Sequence, residues 1–412
     1  MRLYHTHCFA SVKYNCSMEE LYSIYLHFPF CKRRCNYCDF NTYAGMLNRL
    51  PRYIDALCQE IQTVAHSHKE YIPVHSVYLG GGTPSLIPAD ELKKVLACLK
   101  ANFQFADDTE VTLEANPGTL SPDYLKEIRR MGINRLSIGM QSGSNQELKI
   151  LGRIHLVEDV HQSVAWARTA GFDNLSLDLI YGLPGQTLDQ WRNNLHAALD
   201  IHSEHLSLYA LTLESNVPMF RQIQNGELPA QDDDLMADMY ELATDELNQA
   251  GFEQYEISNW ALIDPSGRDL RSRHNLQYWL NLPYLGFGAG AHGSAEGVRT
   301  ENLYRIEAYS ERCFSGNTGA FPRGPALKTA VTIDRHREMQ ETMMLGLRLR
   351  QGVAASRFYA RFGVEMHSIF GKEIEELIHL QLLEENQGGT DALRLTRHGR
   401  FLSNAVFRQF VD

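Results

Sequence analysis

The chain has 412 residues, 44% of them hydrophobic and 22% charged, and a formal net charge of -11. At this length two to three domains and a large core are expected, and a mean hydropathy of -0.32 with no run of 18 apolar residues excludes a membrane-spanning helix. With 50 acidic against 39 basic side chains, general nucleic-acid binding, which runs on clustered cations, is excluded as well.

Residues 1–20, MRLYHTHCFASVKYNCSMEE, are too polar for a secretory leader and hold only Arg2 and Lys13 as cations. They read as an N-terminal extension of a cytoplasmic protein. Six hydrophobic runs then follow at 21–28, 76–79, 110–114, 135–139, 174–180 and 205–211, and each reads as a strand. Amphipathic stretches such as PRYIDALCQEIQTVA, ADELKKVLACLKANF and VEDVHQSVAWARTAG separate them, so 21–215 predicts six βα units. Asp90 and Ser121 are expected to cap helices, and Gly132 and Gly171 to end them. Right-handed βα repeats build either an open doubly wound sheet or a barrel, and both gather chemistry at the carboxyl ends of the strands. Residues 216–330 read as an α/β extension with a long helix over 231–250. Residues 331–412 read as a small winged-helix-like domain with a hairpin turn at Gly388-Gly389. Its 11 basic and 11 acidic residues leave it neutral, which favours packing or partner contact over DNA binding.

The unusual residues follow the predicted strands in register. After the first come Cys31, Cys35 and Cys38, spaced so that one short loop wraps three thiols around one metal centre. A structural zinc wants a fourth Cys or His, often from a second C-x2-C pair that this chain lacks; a 4Fe-4S cluster held by three thiolates keeps one iron open. Lys32, Arg33 and Arg34 favour thiolates and offset an anionic cluster. Gly80-Gly81-Gly82-Thr83-Pro84 follows the second strand, as a tight turn or as backbone that approaches a ligand closely. Glu114, after the third, reads as a partner for a cation or as a solvated strand end. Gln141 and Asp178 suit ribose hydroxyls, and Arg153 offers a planar fork for a carboxylate.

C-x3-C-x2-C at the end of the first strand of a βα series resembles the signature of the radical S-adenosylmethionine superfamily, over residues 21–215. The resemblance implies a partial (β/α)6 TIM-like barrel in which the three cysteines bind three irons and S-adenosylmethionine chelates the fourth. It also implies that an electron from the cluster cleaves the sulfonium to a 5'-deoxyadenosyl radical. Within the superfamily, YLHFPFC, YLGGGTPS, LEANPGT, IGMQS and LDLIYGLPGQT resemble the oxygen-independent coproporphyrinogen III oxidase group. By that likeness Tyr25, Gly81, Gly82, Thr83, Glu114, Gln141, Arg153 and Asp178 line the cofactor site; Tyr37 is either a cofactor contact or a loop anchor.

Two departures weigh against the oxidase. Its pattern continues to a further cysteine where this chain has Phe40, and it calls for a longer N-terminal segment than twenty residues. His274-Asn275-Leu276-Gln277-Tyr278-Trp279 is similar to the HNxxYW marker of the haem-chaperone branch. That likeness implies haem as ligand, His274 as a haem contact and haem-requiring respiratory proteins as partners, with association of two chains around cluster or haem left open. Imidazole is a common axial iron ligand. His292, in the glycine-rich run 286–292, is the other histidine considered, although its glycines also fit a simple backbone crossing. The alternatives are a coproporphyrinogen III oxidase and a radical enzyme with another substrate.

Overall fold

The computed structural model describes residues 21–316, 319–385 and 391–411. The expected N-terminal extension and the Gly388-Gly389 turn lie outside them. Twelve strands form one sheet: β1 (Tyr22–Phe28), β2 (Pro73–Gly81), β3 (Gln104–Ala115), β4 (Arg135–Gln141), β5 (Leu175–Tyr181), β6 (His205–Ala210), β7 (Phe252–Glu256), β8 (Asn259–Leu262), β9 (Tyr284–Phe287), β10 (His292–Ala295), β11 (Val298–Asn302) and β12 (Leu327–Thr332). β1 to β6 lie side by side in chain order, each parallel to the next. The arc does not close on itself. β9 runs parallel along the free side of β1, β8 pairs antiparallel with β6, and β10 to β12 extend the sheet beyond β9. Among the described residues the strand order is that of an open sheet, in keeping with the partial barrel that the family resemblance implies.

Helices α1 (Leu50–Ser67), α2 (Ala89–Asn102), α3 (Pro122–Met131), α4 (Val157–Thr169) and α5 (Leu188–Leu199) connect the parallel strands, and α6 (Asp233–Gln249) follows β6. Side chains alternate along each strand, so each has two faces. Ile24, Leu26, Val77, Leu79, Leu113, Leu136 and Leu177 are buried in one core with Ile54, Leu57, Leu92 and Val95 of the helices. The alternate positions carry Ser23, Tyr25, Ser76, Tyr78, Glu114, Ser137 and Asp178, so the opposite face is polar. Burying each aliphatic side chain stabilises by ~1.5–3 kcal/mol, which places the cost of a polar second face within reach of the fold.

The expected caps are observed with one exception. Ser121 accepts the Tyr124 N–H at 3.3 Å, and Gly132 ends α3 with φ +106°. α2, however, starts at Ala89 with Pro88 as its N-cap residue, so Asp90 lies in the first turn. There its charge still faces the positive helix end. β2 and β3 are longer than expected because Pro73 and Val74 pair with Gln104 and Phe105 across a register shift that hydrophobic patterning does not show.

The glycine-rich run is a backbone crossing. A Cβ at Gly286 would sit 1.8 Å from the His292 carbonyl oxygen. Buried Glu60 of α1 accepts the Gly288 N–H at 2.9 Å, the Asn302 amide at 2.6 Å and the Tyr309 hydroxyl at 2.5 Å, tying α1 to this run. Residues beyond β12 form a second core around Phe358, Phe370, Ile374 and Leu393. It is built from helices Arg335–Gly346, Ala355–Phe362 and Met366–His379 with three short strands, Val353–Ala354, Leu383–Glu385 and Ala392–Leu395.

Candidate functional site

The loop after β1 is fastened at its base, where Phe30–Cys31 pairs in parallel with Tyr43–Ala44. Two backbone bonds of 2.8 Å, Gly82 N–H to Phe28 O and Thr83 N–H to Phe30 O, join it to the turn after β2. Asn36 joins it to the loop after β4, donating from its backbone to Leu151 O and from its side chain to Ile150 O, each at 3.1 Å. Each thiol meets a polar group. Thr83 Oγ1 donates to Cys31 Sγ at 3.7 Å, Arg153 Nη1 donates to Cys35 Sγ at 3.5 Å, and Cys38 Sγ lies 4.0 Å from Thr42 Oγ1. Lys32, Arg33 and Arg34 are exposed on the rim. A cleft of about 270 Å³ opens here, lined by Lys32, Cys35, Thr83, Asn116, Gly152 and Arg153.

Among the described residues no three His, Cys, Asp or Glu side chains converge closely enough to hold a single metal ion. A polynuclear cluster spreads its thiolates over its corners, and that is the kind of group this donor set fits. Two further observations agree with a ligand in the cleft. Asn116 Oδ1 is buried without a partner, and a Cβ at Gly82 would lie 2.6 Å from Phe30 O and 3.0 Å from Cys31 Sγ. Gly82→Ala should therefore displace Cys31 and lower reconstituted iron at least several-fold with the fold intact. Iron counting beside circular dichroism checks this, and full iron in the variant would contradict the assignment.

Below the loops, the polar face of the sheet carries two half-buried carboxylates. Glu114 accepts Tyr78 O–H at 2.9 Å and Gly81 N–H at 3.0 Å. Burial, and secondarily the neighbouring Asp178, pushes its pKa up to about 7. Asp178 is also raised by burial, although Ser137 Oγ reaches both of its oxygens at 3.0–3.1 Å. His27 Nε2 meets Asn41 O at 2.9 Å, which makes Nε2 the protonated nitrogen and leaves Nδ1 to accept the Tyr25 hydroxyl at 3.0 Å. Gly81, at φ +115°, makes room for this ring, since a Cβ there would lie 2.7 Å from it. Gln141 ends β4 at φ +66°, and Arg153 Nη2 donates to Gly139 O at 3.1 Å.

The structure thus brings Cys31, Cys35, Cys38, Gly82, Thr83 and Arg153 into one loop cluster. Tyr25, Gly81, Glu114, Gln141 and Asp178 lie on or at the ends of the strands beneath it. His274 lies against the strand residues, its ring 6.4 Å from that of Tyr25. It sits on a short helix, Arg273–Trp279, and is 1% exposed. Its Nδ1 meets Ser76 Oγ at 3.0 Å and its Nε2 meets Tyr278 O–H at 2.9 Å. Burial, with His75 and Arg135 adding to it, lowers its pKa to about 3. Both nitrogens are engaged, and the ring stacks against Tyr78 with centroids 5.0 Å apart. His27 and Tyr78 were missed as site residues. Both occupy alternate strand positions in the same motifs, YLHFPFC and VYLGGG, and period-two reading would have found them.

The Radical SAM superfamily model matches residues 25–198, and the HemN C-terminal domain model matches 333–402. The chain is 35% identical over 391 residues to the heme chaperone HemW of Bacillus subtilis, covering 94% of this chain and 99% of that one. It is 37% identical over 398 residues to the heme chaperone HemW of Mycobacterium tuberculosis, covering 95% of each. Among solved structures, coproporphyrinogen III oxidase (HemN) from Escherichia coli matches with a TM-score of 0.79 at 23% identity, over 95% of this chain and 90% of that one, a likeness of fold. With these matches running nearly end to end, the chain belongs to the radical SAM superfamily and, within it, to the HemW heme-chaperone family.

Proposed function

We propose that this protein binds haem and delivers it to haem-requiring respiratory proteins, using a radical SAM scaffold that holds a 4Fe-4S cluster and S-adenosylmethionine. The near full-length similarity to curated heme chaperones carries this reading. Cys31, Cys35 and Cys38 would hold the cluster. Tyr25, Gly81, Gly82, Thr83, Glu114, Gln141, Arg153 and Asp178 would surround the cofactor, with Glu114 facing its cationic part. Together the two groups supply one-electron chemistry when bound. Because Glu114 ionises near pH 7, a cationic ligand there binds the deprotonated form and affinity rises with pH through that value. Phe40, at the position of the oxidase pattern's further cysteine, is 70% exposed and supplies no thiol. No helix of the described residues is long and apolar enough to cross a membrane, in keeping with a cytoplasmic carrier.

For a haem ligand the geometry favours His292 over His274. His292 is exposed, its ring has no hydrogen-bond partner among the described residues, and it stands opposite Glu301 in the β10–β11 pair. The Glu301 carboxylate accepts the hydroxyl of Tyr304, whose ring is 39% exposed. Such an imidazole can reach an iron, while the Tyr304 ring has Lys328 Nζ over it at 4.4 Å. Anaerobic haem titration tests the proposal. The native chain and His274→Ala should bind, while His292→Ala should bind at least tenfold more weakly with an altered Soret band. No binding by the native chain ends the chaperone reading, and an unchanged His292→Ala spectrum ends the ligand assignment. Vinyl product from coproporphyrinogen III would transfer the protein to the oxidase class.

A further inference from the structure

A second cleft, about 210 Å³, lies where the free edge of the sheet meets the C-terminal domain. The segment after helix Arg335–Gly346 is stitched to β7: Glu256 bridges to Leu349, and Arg350 N–H donates to Tyr255 O at 2.9 Å. This places Arg348 and Arg350 in the same cleft as Arg400, which comes from the short helix Arg397–Phe401. Arg348 pairs with buried Glu256 at 3.3 Å and lies over the Trp279 ring at 4.2 Å. Arg350 and Arg400 have no side-chain hydrogen bond or ion pair among the described residues. Burial, with Arg350 and Arg397 adding repulsion, pulls the Arg400 pKa down. The cleft lining carries three guanidinium groups against one carboxylate, with Glu384 acting on Arg400 from outside it.

Gln254 supplies an independent pointer. It lines the cleft, is 5% exposed, and spends its amide N–H groups on Tyr240 Oη at 2.6 Å and Ile257 O at 3.1 Å. Its Oε1 is buried with no donor. Arg348 Nε, in the same cleft, is a buried donor with no acceptor. The vacant groups are therefore guanidinium donors together with one carbonyl acceptor. We infer that this cleft binds a protonated phosphate-type oxyanion. Its oxygens take the arginine N–H groups, and its own O–H donates to Gln254 Oε1. A carboxylate offers acceptors only and leaves Gln254 Oε1 unmet, so it is the poorer ligand. The bound anion would clamp the C-terminal domain to the sheet edge, because Arg400 comes from that domain and Gln254 from β7.

Titration calorimetry and thermal unfolding of the full chain test this, with inorganic phosphate, a simple phosphate monoester, acetate and chloride at matched ionic strength. Phosphate should bind one per chain and raise the unfolding temperature above that in chloride, with acetate at least tenfold weaker. Arg350→Gln, at an exposed position, and Arg400→Gln should each weaken phosphate at least tenfold. At about pH 5.5, where the monoester also keeps an O–H, tighter binding of the monoester identifies a phosphoryl-bearing small molecule as the ligand, and tighter binding of inorganic phosphate identifies the free ion. No one-to-one binding, acetate equal to phosphate, or undiminished binding by Arg350→Gln overturns the proposal.

Discussion

Cys35→Ser is expected to leave the reconstituted protein with essentially no cluster iron, whereas Cys58→Ser, Cys98→Ser and Cys313→Ser should each retain the full amount. The contrast follows from position. Cys35 lies in the loop where three chain segments meet, and Arg153 Nη1 donates to its sulfur at 3.5 Å. A serine hydroxyl stays protonated at neutral pH and is a poor replacement for a thiolate. Cys58 and Cys98 lie on α1 and α2, on the helical side of the sheet, where the Cys98 thiol meets Cys58 O at 3.5 Å. Cys313 is buried behind Glu60. Anaerobic iron and sulfide counting with visible absorption reads the outcome. Retention of iron by Cys35→Ser, or its loss from Cys58→Ser, would falsify the ligand assignment.

Glu60→Ala is expected to destabilise the fold by about 3 kcal/mol or more, since three donors that now meet a buried carboxylate would each lose a partner at ~1–3 kcal/mol. The same group makes stability depend on pH. Its pKa, pushed up by burial against the bonds from Tyr309, Gly288 and Asn302, stands at about 7 against an ordinary 4.5. The native state therefore holds the proton more tightly than the unfolded chain. The stability this contributes is fully present below about pH 4.5 and is lost as pH rises through about 7. At ~1.36 kcal/mol per pH unit the loss amounts to about 3 kcal/mol. Glu114 acts with the same sign, so Glu60→Gln should flatten only part of the slope. Denaturant unfolding at pH 5 and pH 7.5 measures it, and an unchanged difference in Glu60→Gln would show that this carboxyl does not titrate in that window.

Much of the parallel core was legible because its strands are apolar on one face and each is followed by residues that a plain turn does not need. The thiol loop, GGGTP and the Glu114 segment reveal themselves in that way. The polar face was harder to see. Ser76, Tyr78, Ser137 and Asp178 interrupt hydrophobic runs as if by chance until the strands are aligned. β7 to β12 are short and mixed in polarity, and their pairing depends on partners far away in the chain, which local pattern does not carry. The burial of His274 is not evident from the HNxxYW motif alone. Its spacing with Gln277 and Tyr278, three and four residues on, places all three on one side of a helix, and that side turns inward.

The open arc of β1 to β6 has a further consequence. A closed eight-stranded ring is entered only end-on, and side chains fill its bore. Six strands flanked by β9 and β8 leave a polar face that other parts of the chain can cover, and helix Arg273–Trp279 does so, with His274 set against Ser76 and Tyr78.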